Sequence, residues 1–185
     1  IDYDNLLAAG SRMGSGGRID MDEDDCMVSV SKFYLEFTVE ESCGKCAPCR
    51  IGNKRLLEIL EKITKGKGTM ADLEELKNLS AVIKDTALCG LGQTSPNPIL
   101  STIENFWDEY VAHVEQKMCP SRQCRDLMSY VIDAEKCIGC SACSRVCPVN
   151  AISGVVKQPF VIDQSLCIKC GACMDKCKFS AISVR

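Results

Sequence analysis

Two cysteine runs, CIGCSACSRVC at 137–147 and CIKCGACMDKC at 167–177, decide how this chain is read. Each run spaces its cysteines as CxxCxxCxxxC, and Cys167 follows Cys137 by 30 residues. The flanks repeat at the same offset. YVID from Tyr130 to Asp133 aligns with FVID from Phe160 to Asp163, and AIS from Ala151 to Ser153 returns from Ala181 to Ser183. Each repeat predicts a short strand, a cysteine loop, a short helix and a second short strand, too little to bury a core without its partner.

A cubane cluster needs four soft, charged ligands, and three thiolates spaced as CxxCxxC can curl round one cluster from a single loop. In this motif the fourth cysteine of each run ligates the other cluster. The expectation is therefore one [4Fe-4S] cluster on Cys137, Cys140, Cys143 and Cys177, and another on Cys147, Cys167, Cys170 and Cys173. The small residues Gly139, Ser141, Ala142, Gly171 and Ala172 would let backbone N–H groups approach the sulfurs, or are merely tolerated in loops. Zinc is the alternative occupant of such cysteine pairs. Residues 129–185 resemble bacterial 2[4Fe-4S] ferredoxins, which implies a (βαβ)2 fold. One asymmetry stands out: Pro148 follows Cys147, whereas Lys178 follows Cys177, where its charge would raise the local potential or is simply solvated.

Upstream the pattern is helical. Met27, Val30, Tyr34 and Phe37 recur at helical spacing, and Leu56, Leu57, Leu60 and Ile63 mark a second helix stopped by Gly66 and Gly68. A third begins at Thr69 with Asp72 at the capping-box position and runs through Leu73, Leu76, Leu79 and Ile83. A fourth starts at Asn97 and Pro98 and carries Leu100, Ile103, Trp107, Val111 and Val114. Four amphipathic helices with short loops predict a bundle, giving an α plus α/β chain. The expected boundaries are 1–25 for the tail of a preceding domain, 26–117 for the bundle, 118–128 for a linker and 129–185 for the ferredoxin part.

Within the bundle, ESCGKCAPCR (41–50) sets Cys43, Cys46 and Cys49 on one loop at the start of the second helix, whose N–H groups favour an anionic cluster. The fourth ligand is missing locally, and Cys89 in LCGLG (88–92) is the candidate. ESCGKCAPCR together with LCGLGQTSPNP is similar to the C-terminal bundle of the NADH-binding flavin subunit of respiratory complex I, and of soluble NAD-linked hydrogenases and formate dehydrogenases. That resemblance implies a [4Fe-4S] cluster on these four cysteines, which takes electrons singly from a flavin. The opening with Gly10, Gly14, Gly16 and Gly17, and the acidic run Asp20 to Asp25, resemble the end of the β-grasp domain that precedes the bundle in this family. A ferredoxin extension is typical of the flavin subunit of multimeric, electron-bifurcating [FeFe]-hydrogenases. No GxGxxG or other glycine-rich phosphate loop is present, so FMN and NAD(P) are expected only in an N-terminal part of the subunit outside this chain.

Twelve of the 15 cysteines are then assigned, which leaves Cys26, Cys119 and Cys124, and the only histidine, His113, precedes Cys119 by six residues. Three thiolates and an imidazole form a structural zinc set that would clamp or hinge the linker. The alternatives are a buried Cys26 beside idle thiols, or a histidine-ligated iron–sulfur centre.

The remaining composition excludes more than it adds. A net charge of −3 points to no nucleic-acid partner, and no run of about 18 apolar residues suggests a membrane span. An odd number of cysteines in CxxC pairs, with no signal-peptide pattern before them, predicts a reducing, cytoplasmic setting in place of disulfides. Lys45, Arg50, Lys136, Arg145, Lys169 and Lys176 near the runs would steer an acidic carrier or are solvated. The functional expectation is an electron-transfer module with no catalytic residues of its own. By resemblance its partners are an H-cluster subunit, a thioredoxin-like [2Fe-2S] subunit and soluble ferredoxin. The rival readings are the same module in an NAD-linked formate dehydrogenase or another bifurcating oxidoreductase, and a mainly structural bridge.

Overall fold

The computed structural model describes residues 2–8 and 19–184, so the glycine-rich stretch at Gly10, Gly14, Gly16 and Gly17 lies outside the described residues. Helix α1 spans Tyr3–Ala8. The helical region then comprises α2 (Met27–Glu40), α3 (Asn53–Thr64), α4 (Met70–Thr86), α5 (Gly90–Thr94), α6 (Asn97–Asn105) and α7 (Trp107–Val111). A π-helical turn at Pro48–Gly52 feeds α3, and another at Ala112–Gln116 continues α7. No helix among the described residues is long and apolar enough to cross a membrane.

Local signals set several of these ends. Thr69 Oγ1 accepts the Asp72 N–H and the Asp72 carboxylate accepts the Thr69 N–H at 2.6 Å, a reciprocal cap that satisfies two otherwise orphaned donors of α4. Lys62 Nζ reaches both oxygens of the same carboxylate at 2.8 Å and so ties α3 to α4. Gly66 ends the α3 turn at φ +72, and a Cβ there would stand 2.7 Å from Leu127 Cδ2. The left-handed backbone favours glycine, and a larger residue would have to displace the end of the Leu127 side chain.

Two helices depart from the periodicity. The expected inner face of α2, with Met27, Val30, Tyr34 and Phe37, is turned: the buried residues are Met27, Val28, Ser31, Leu35 and Thr38, while Phe37 is exposed. Ser31 faces inward because Thr102 Oγ1 and Tyr110 Oη lie 2.7 and 3.1 Å from its hydroxyl, which makes a polar core position tolerable. The expected fourth helix is broken at Phe106, which leaves helical geometry at φ −131, ψ 39. The Asn105 amide folds back on the Ser101 carbonyl at 2.8 Å, and α7 restarts with a new phase that turns Tyr110 and His113 fully inward. Val28, Leu35, Leu56, Leu60, Ile63, Leu73, Leu76, Ile83 and Ile99 complete this core, each fully buried and each worth about 2 kcal/mol of transfer free energy.

The ferredoxin part holds β1 (Tyr130–Ile132), α8 (Ala142–Val146), β2 (Ile152–Ser153), β3 (Val161–Ile162), α9 (Ala172–Lys176) and β4 (Ile182–Val184). Pairing is antiparallel and crosses between repeats: Tyr130 faces Val184 across β1 and β4, and Ile152 faces Ile162 across β2 and β3. The junction bonds repeat as well, with Asp133 N–H donating to the Ala181 carbonyl at 2.7 Å and Asp163 N–H to that of Ala151 at 2.8 Å. The left-handed positions also recur at the 30-residue offset, as Gly139 and Lys169, Ser141 and Gly171, Asn150 and Ser180. Glycine is required at Gly139, where a Cβ would be driven into the Lys157 and Gln158 backbone.

Burial opposes the charge on Asp72, but hydrogen bonds from Lys62 and Thr69 outweigh it and hold the carboxyl below its usual range. Its contribution is therefore present above the unfolded value near 3.9 and is lost as pH falls through the folded one. Asp72→Ala is expected to lower stability at pH 7 by about 1 kcal/mol, a drop of about 2–4 °C in thermal midpoint by circular dichroism, and the difference from the unmodified chain should shrink below about pH 4.

Candidate iron–sulfur and metal centres

Two small apolar pockets, partly open to solvent, lie in the ferredoxin part. Cys137, Cys140, Cys143 and Cys177 line the first, with Phe160, Phe179 and Ile182 among its walls. Cys147, Cys167, Cys170 and Cys173 line the second, beside Tyr130 and Ile162. The crossed strand pairing brings this about, because the cysteine that closes each run stands before a strand that pairs with the other repeat. Backbone donors already face the sulfurs: Ala151 N–H lies 3.3 Å from Cys147 Sγ, Ala181 N–H 3.4 Å from Cys177 Sγ and Lys169 N–H 3.4 Å from Cys167 Sγ. Burial pushes the Cys143 and Cys173 thiols up, against backbone hydrogen bonds that lower them, and a bound cation would act in the same direction as those bonds. Four thiols round an apolar hollow fit a cubane.

In the helical region Cys43, Cys46 and Cys49 lie on the loop and π turn that enter α3, and Cys89 is the N-cap of α5. The two segments meet. Backbone hydrogen bonds from Leu88 and Cys49 lower the Cys46 pKa, and a Cβ at Gly92 would stand 3.2 Å from Cys49 Cβ. Cys49 is buried while Cys43 and Cys89 are exposed, so the set opens on the surface. Ser42 Oγ and Asn53 Nδ2 lie 3.2 and 3.4 Å from Cys49 Sγ.

The leftover ligands converge most tightly. One donor atom from each of Cys26, His113, Cys119 and Cys124 lies within 4.8 Å of every other, and all four residues are buried. Cys26 Sγ is 3.7 Å from Cys124 Sγ and 3.3 Å from His113 Nε2, and Cys124 Sγ is 3.4 Å from the same nitrogen. A tetrahedron built on zinc–ligand bonds of about 2.0–2.3 Å has edges of about 3.5–3.8 Å, so the set fits a zinc ion closely. His113 Nδ1 sits 2.7 Å from the Glu109 carbonyl, which takes its proton and leaves Nε2 for the centre. Burial would lower the His113 pKa, but hydrogen bonds with Cys119 and Cys26 push it up to about 10. The neighbours drive Cys119 down, chiefly by hydrogen bonding with Cys124, and Cys124 up. Such sharing of protons among crowded donors is what a cation would replace.

Around this cluster the acidic run holds the linker: the Asp25 carbonyl accepts from Ser121 Oγ at 3.1 Å and the Asp24 carbonyl from Gln123 Nε2 at 2.6 Å. Lys169 Nζ, from the second cysteine run, donates to the Asp126 carbonyl at 2.5 Å, just past Cys124. Of the basic residues considered for docking, Lys169 is thus engaged within the chain, Arg145 bonds Ser141 Oγ at 2.9 Å and Lys136 pairs with Asp133 at 3.5 Å.

Comparison with known proteins bears on the same residues. The family described as NADH-ubiquinone oxidoreductase-F iron-sulfur binding region matches residues 29–113, and the 4Fe-4S binding domain matches residues 130–153 and 160–183. The chain is 66% identical over 159 residues to NADP-reducing hydrogenase subunit HndC of Solidesulfovibrio fructosivorans, covering 86% of this chain and 32% of that protein. The chain belongs to the NADH-quinone oxidoreductase F-like family. Another relative, an F-type NADH-quinone oxidoreductase subunit of Rhizobium meliloti, is 39% identical over 120 residues, covering 65% of this chain and 28% of its own length. The alpha subunit of the NAD-reducing hydrogenase HoxS of Cupriavidus necator is 42% identical over 84 residues, or 45% of this chain and 14% of that protein. The F-like chain therefore spans about a third or less of the curated relatives it matches. The matched 4Fe-4S regions contain the three cysteine runs.

Sequence reasoning missed Ser42, Asn53 and Ser95. The signal was available at Asn53, a polar residue in the stripe it shares with Leu56, Leu60 and Ile63, and fully buried. Gly92→Ala is expected to press a methyl group into Cys49, and also against Ala87 Cβ at 2.6 Å. The variant should lose about four irons per chain on anaerobic purification while retaining the other eight or so, measured by colorimetric iron assay.

Proposed function

We propose that this chain is the electron-transfer module of an NAD(P)H-linked [FeFe]-hydrogenase complex that operates by flavin-based electron bifurcation. It passes single electrons between a reduced flavin, held elsewhere in the subunit, and a partner subunit or soluble ferredoxin. The observation that carries this reading is the union of an F-type iron–sulfur region with a doubled 4Fe-4S domain in one chain. In support, the match to the hydrogenase subunit runs over 159 residues, whereas that to the quinone-linked F-type relative runs over 120.

In this reading residues 26–117 form a four-helix bundle of α2, α3, α4 and the broken α6–α7 pair, following the end of a β-grasp-like domain at 1–25. Cys43, Cys46, Cys49 and Cys89 hold one [4Fe-4S] cluster. Cys137, Cys140, Cys143 and Cys177 hold a second, and Cys147, Cys167, Cys170 and Cys173 a third. Each cubane, when bound, supplies a one-electron step. The chain's own residues do the rest: the crossed runs bring both ferredoxin sites into one small core, and backbone N–H groups at Ala151, Lys169 and Ala181 stabilise thiolate charge.

Cys26, His113, Cys119 and Cys124 hold a structural zinc in the linker at 118–128, the acidic run clasps that linker, and Lys169 bonds the ferredoxin part to it. The partners are the H-cluster subunit and the thioredoxin-like [2Fe-2S] subunit of a cytoplasmic complex.

Metal analysis of the anaerobically purified chain should return about twelve irons and about one zinc. Replacing His113 by Ala together with Cys119 by Ser should remove the zinc and leave the iron. In the assembled complex, deletion of residues 129–185 should abolish ferredoxin-coupled reduction of NAD(P) by hydrogen. Full coupling after that deletion would overturn the electron-transfer role of the ferredoxin part.

A further inference from the structure

Cys49 differs from the other ligands proposed for the bundle cluster in the company its sulfur keeps. Its Sγ has two side-chain partners, Ser42 Oγ at 3.2 Å and Asn53 Nδ2 at 3.4 Å, whereas Cys46 draws on backbone N–H groups at Leu88 and Cys49. Both partners are themselves aligned. The Ser42 hydroxyl oxygen accepts the Gly44 N–H at 3.3 Å, which leaves its proton for the sulfur. Asn53, fully buried one turn beyond Cys49, is held at its other end by Ser95, whose hydroxyl lies 2.8 Å from Asn53 Oδ1.

The direction of these bonds follows from chemistry. A metal-bound thiolate accepts and cannot donate. The Asn53 NH2 must then face Cys49 and its oxygen Ser95, whose hydroxyl donates to it. The Gly92 carbonyl, 2.9 Å from the same hydroxyl, is a second acceptor for this one proton, so the two oxygens share it. Ser95 is itself buried, so water offers no replacement.

We infer that Ser42 and Asn53, the latter aligned by Ser95, are dedicated donors to the Cys49 sulfur that raise the reduction potential of the bundle cluster. The inference rests on the proposed ligation by Cys43, Cys46, Cys49 and Cys89. Taking one electron from a reduced flavin places added negative charge on the ligand sulfurs. Two donors fixed in place before the electron arrives stabilise that charge with no reorganisation. A buried asparagine on an otherwise apolar stripe is costly unless both ends of its amide are used, and here both are. Ser95 is a positioning residue, because it reaches the sulfur only through Asn53.

The test is a potentiometric titration of the anaerobic, cluster-loaded chain followed by electron paramagnetic resonance. The bundle signal is identified as the one absent from Cys46→Ala. Ser42→Ala and Asn53→Leu should each shift that midpoint to lower potential, and the double variant should shift it further. Ser95→Ala should give a smaller shift in the same direction. The midpoints of the two ferredoxin clusters should not move, and iron content should match the unmodified chain. An unmoved bundle midpoint in Ser42→Ala and Asn53→Leu overturns the inference, as does an equal shift of all three clusters, which would mark a general structural effect. Ser42 is half-buried at the mouth of the loop, so Ser42→Ala decides the matter alone if Asn53→Leu does not fold. Failure of the underlying ligation has a separate signature: the unmodified chain would then carry only about eight irons and lack a signal sensitive to Cys46→Ala.

Discussion

Cubane and zinc centres alike need four donors converging on one point, and in the proposed ligation every centre draws at least one of them from another part of the chain. CxxCxxC delivers three sulfurs locally, and the last must come from far along the sequence. Cys89 lies 40 residues beyond Cys49, and Cys177 lies 34 beyond Cys143. Cys26 meets His113 across 87 residues. Each closure costs loop entropy, so each proposed site would be completed only once the fold is in place, and an occupant would in turn stabilise that fold. The architecture can be understood as a set of solutions to this closure problem. Crossed strand pairing solves it twice in the ferredoxin part, the approach of α5 to the α3 entry turn solves it in the helical region, and the break at Phe106 solves it for the histidine.

Thiolates gathered at the proposed centres would concentrate negative charge, which the chain's formal net charge of −3 leaves out. Its answer is local and largely made of oriented dipoles. Backbone N–H groups at Ala151, Ala181 and Lys169 face ferredoxin sulfurs, and the Leu88 and Cys49 amides serve Cys46. Side chains take over at Cys49, where Ser42 and Asn53 point at one sulfur. Fixed dipoles suit a centre that changes charge by one unit, since they need not rearrange as a mobile lysine or a water shell would.

The linker is where the two halves become mechanically related. Its cysteines join Cys26 and His113 of the helical region, Leu127 packs over Gly66, the carbonyls of Asp24 and Asp25 hold Ser121 and Gln123, and Asp126 receives Lys169. The acidic run, which reads from sequence as the end of a preceding domain, thus contributes backbone oxygens to the clasp. Its carboxylates contribute less: the Asp25 side chain stands 3.3 Å from Gln123 Nε2 at an exposed position.

Much of this was legible in the residues. Cysteine spacing, the 30-residue repeat, the Thr69–Asp72 cap and the stop at Gly66 are local matters, decided over a few residues of backbone, and a linear string records them faithfully. The grouping of Cys26, His113, Cys119 and Cys124 was also within reach, by subtraction and ligand chemistry. Only the tertiary structure decided which face of α2 turns inward, where the fourth helix breaks, and that Asn53 and Ser42 meet at Cys49. Periodicity predicts an apolar face and cannot anticipate that Ser31 will find Thr102 and Tyr110, or Asn53 its sulfur and serine, because the cost of burying a polar group depends on partners that folding alone brings within reach.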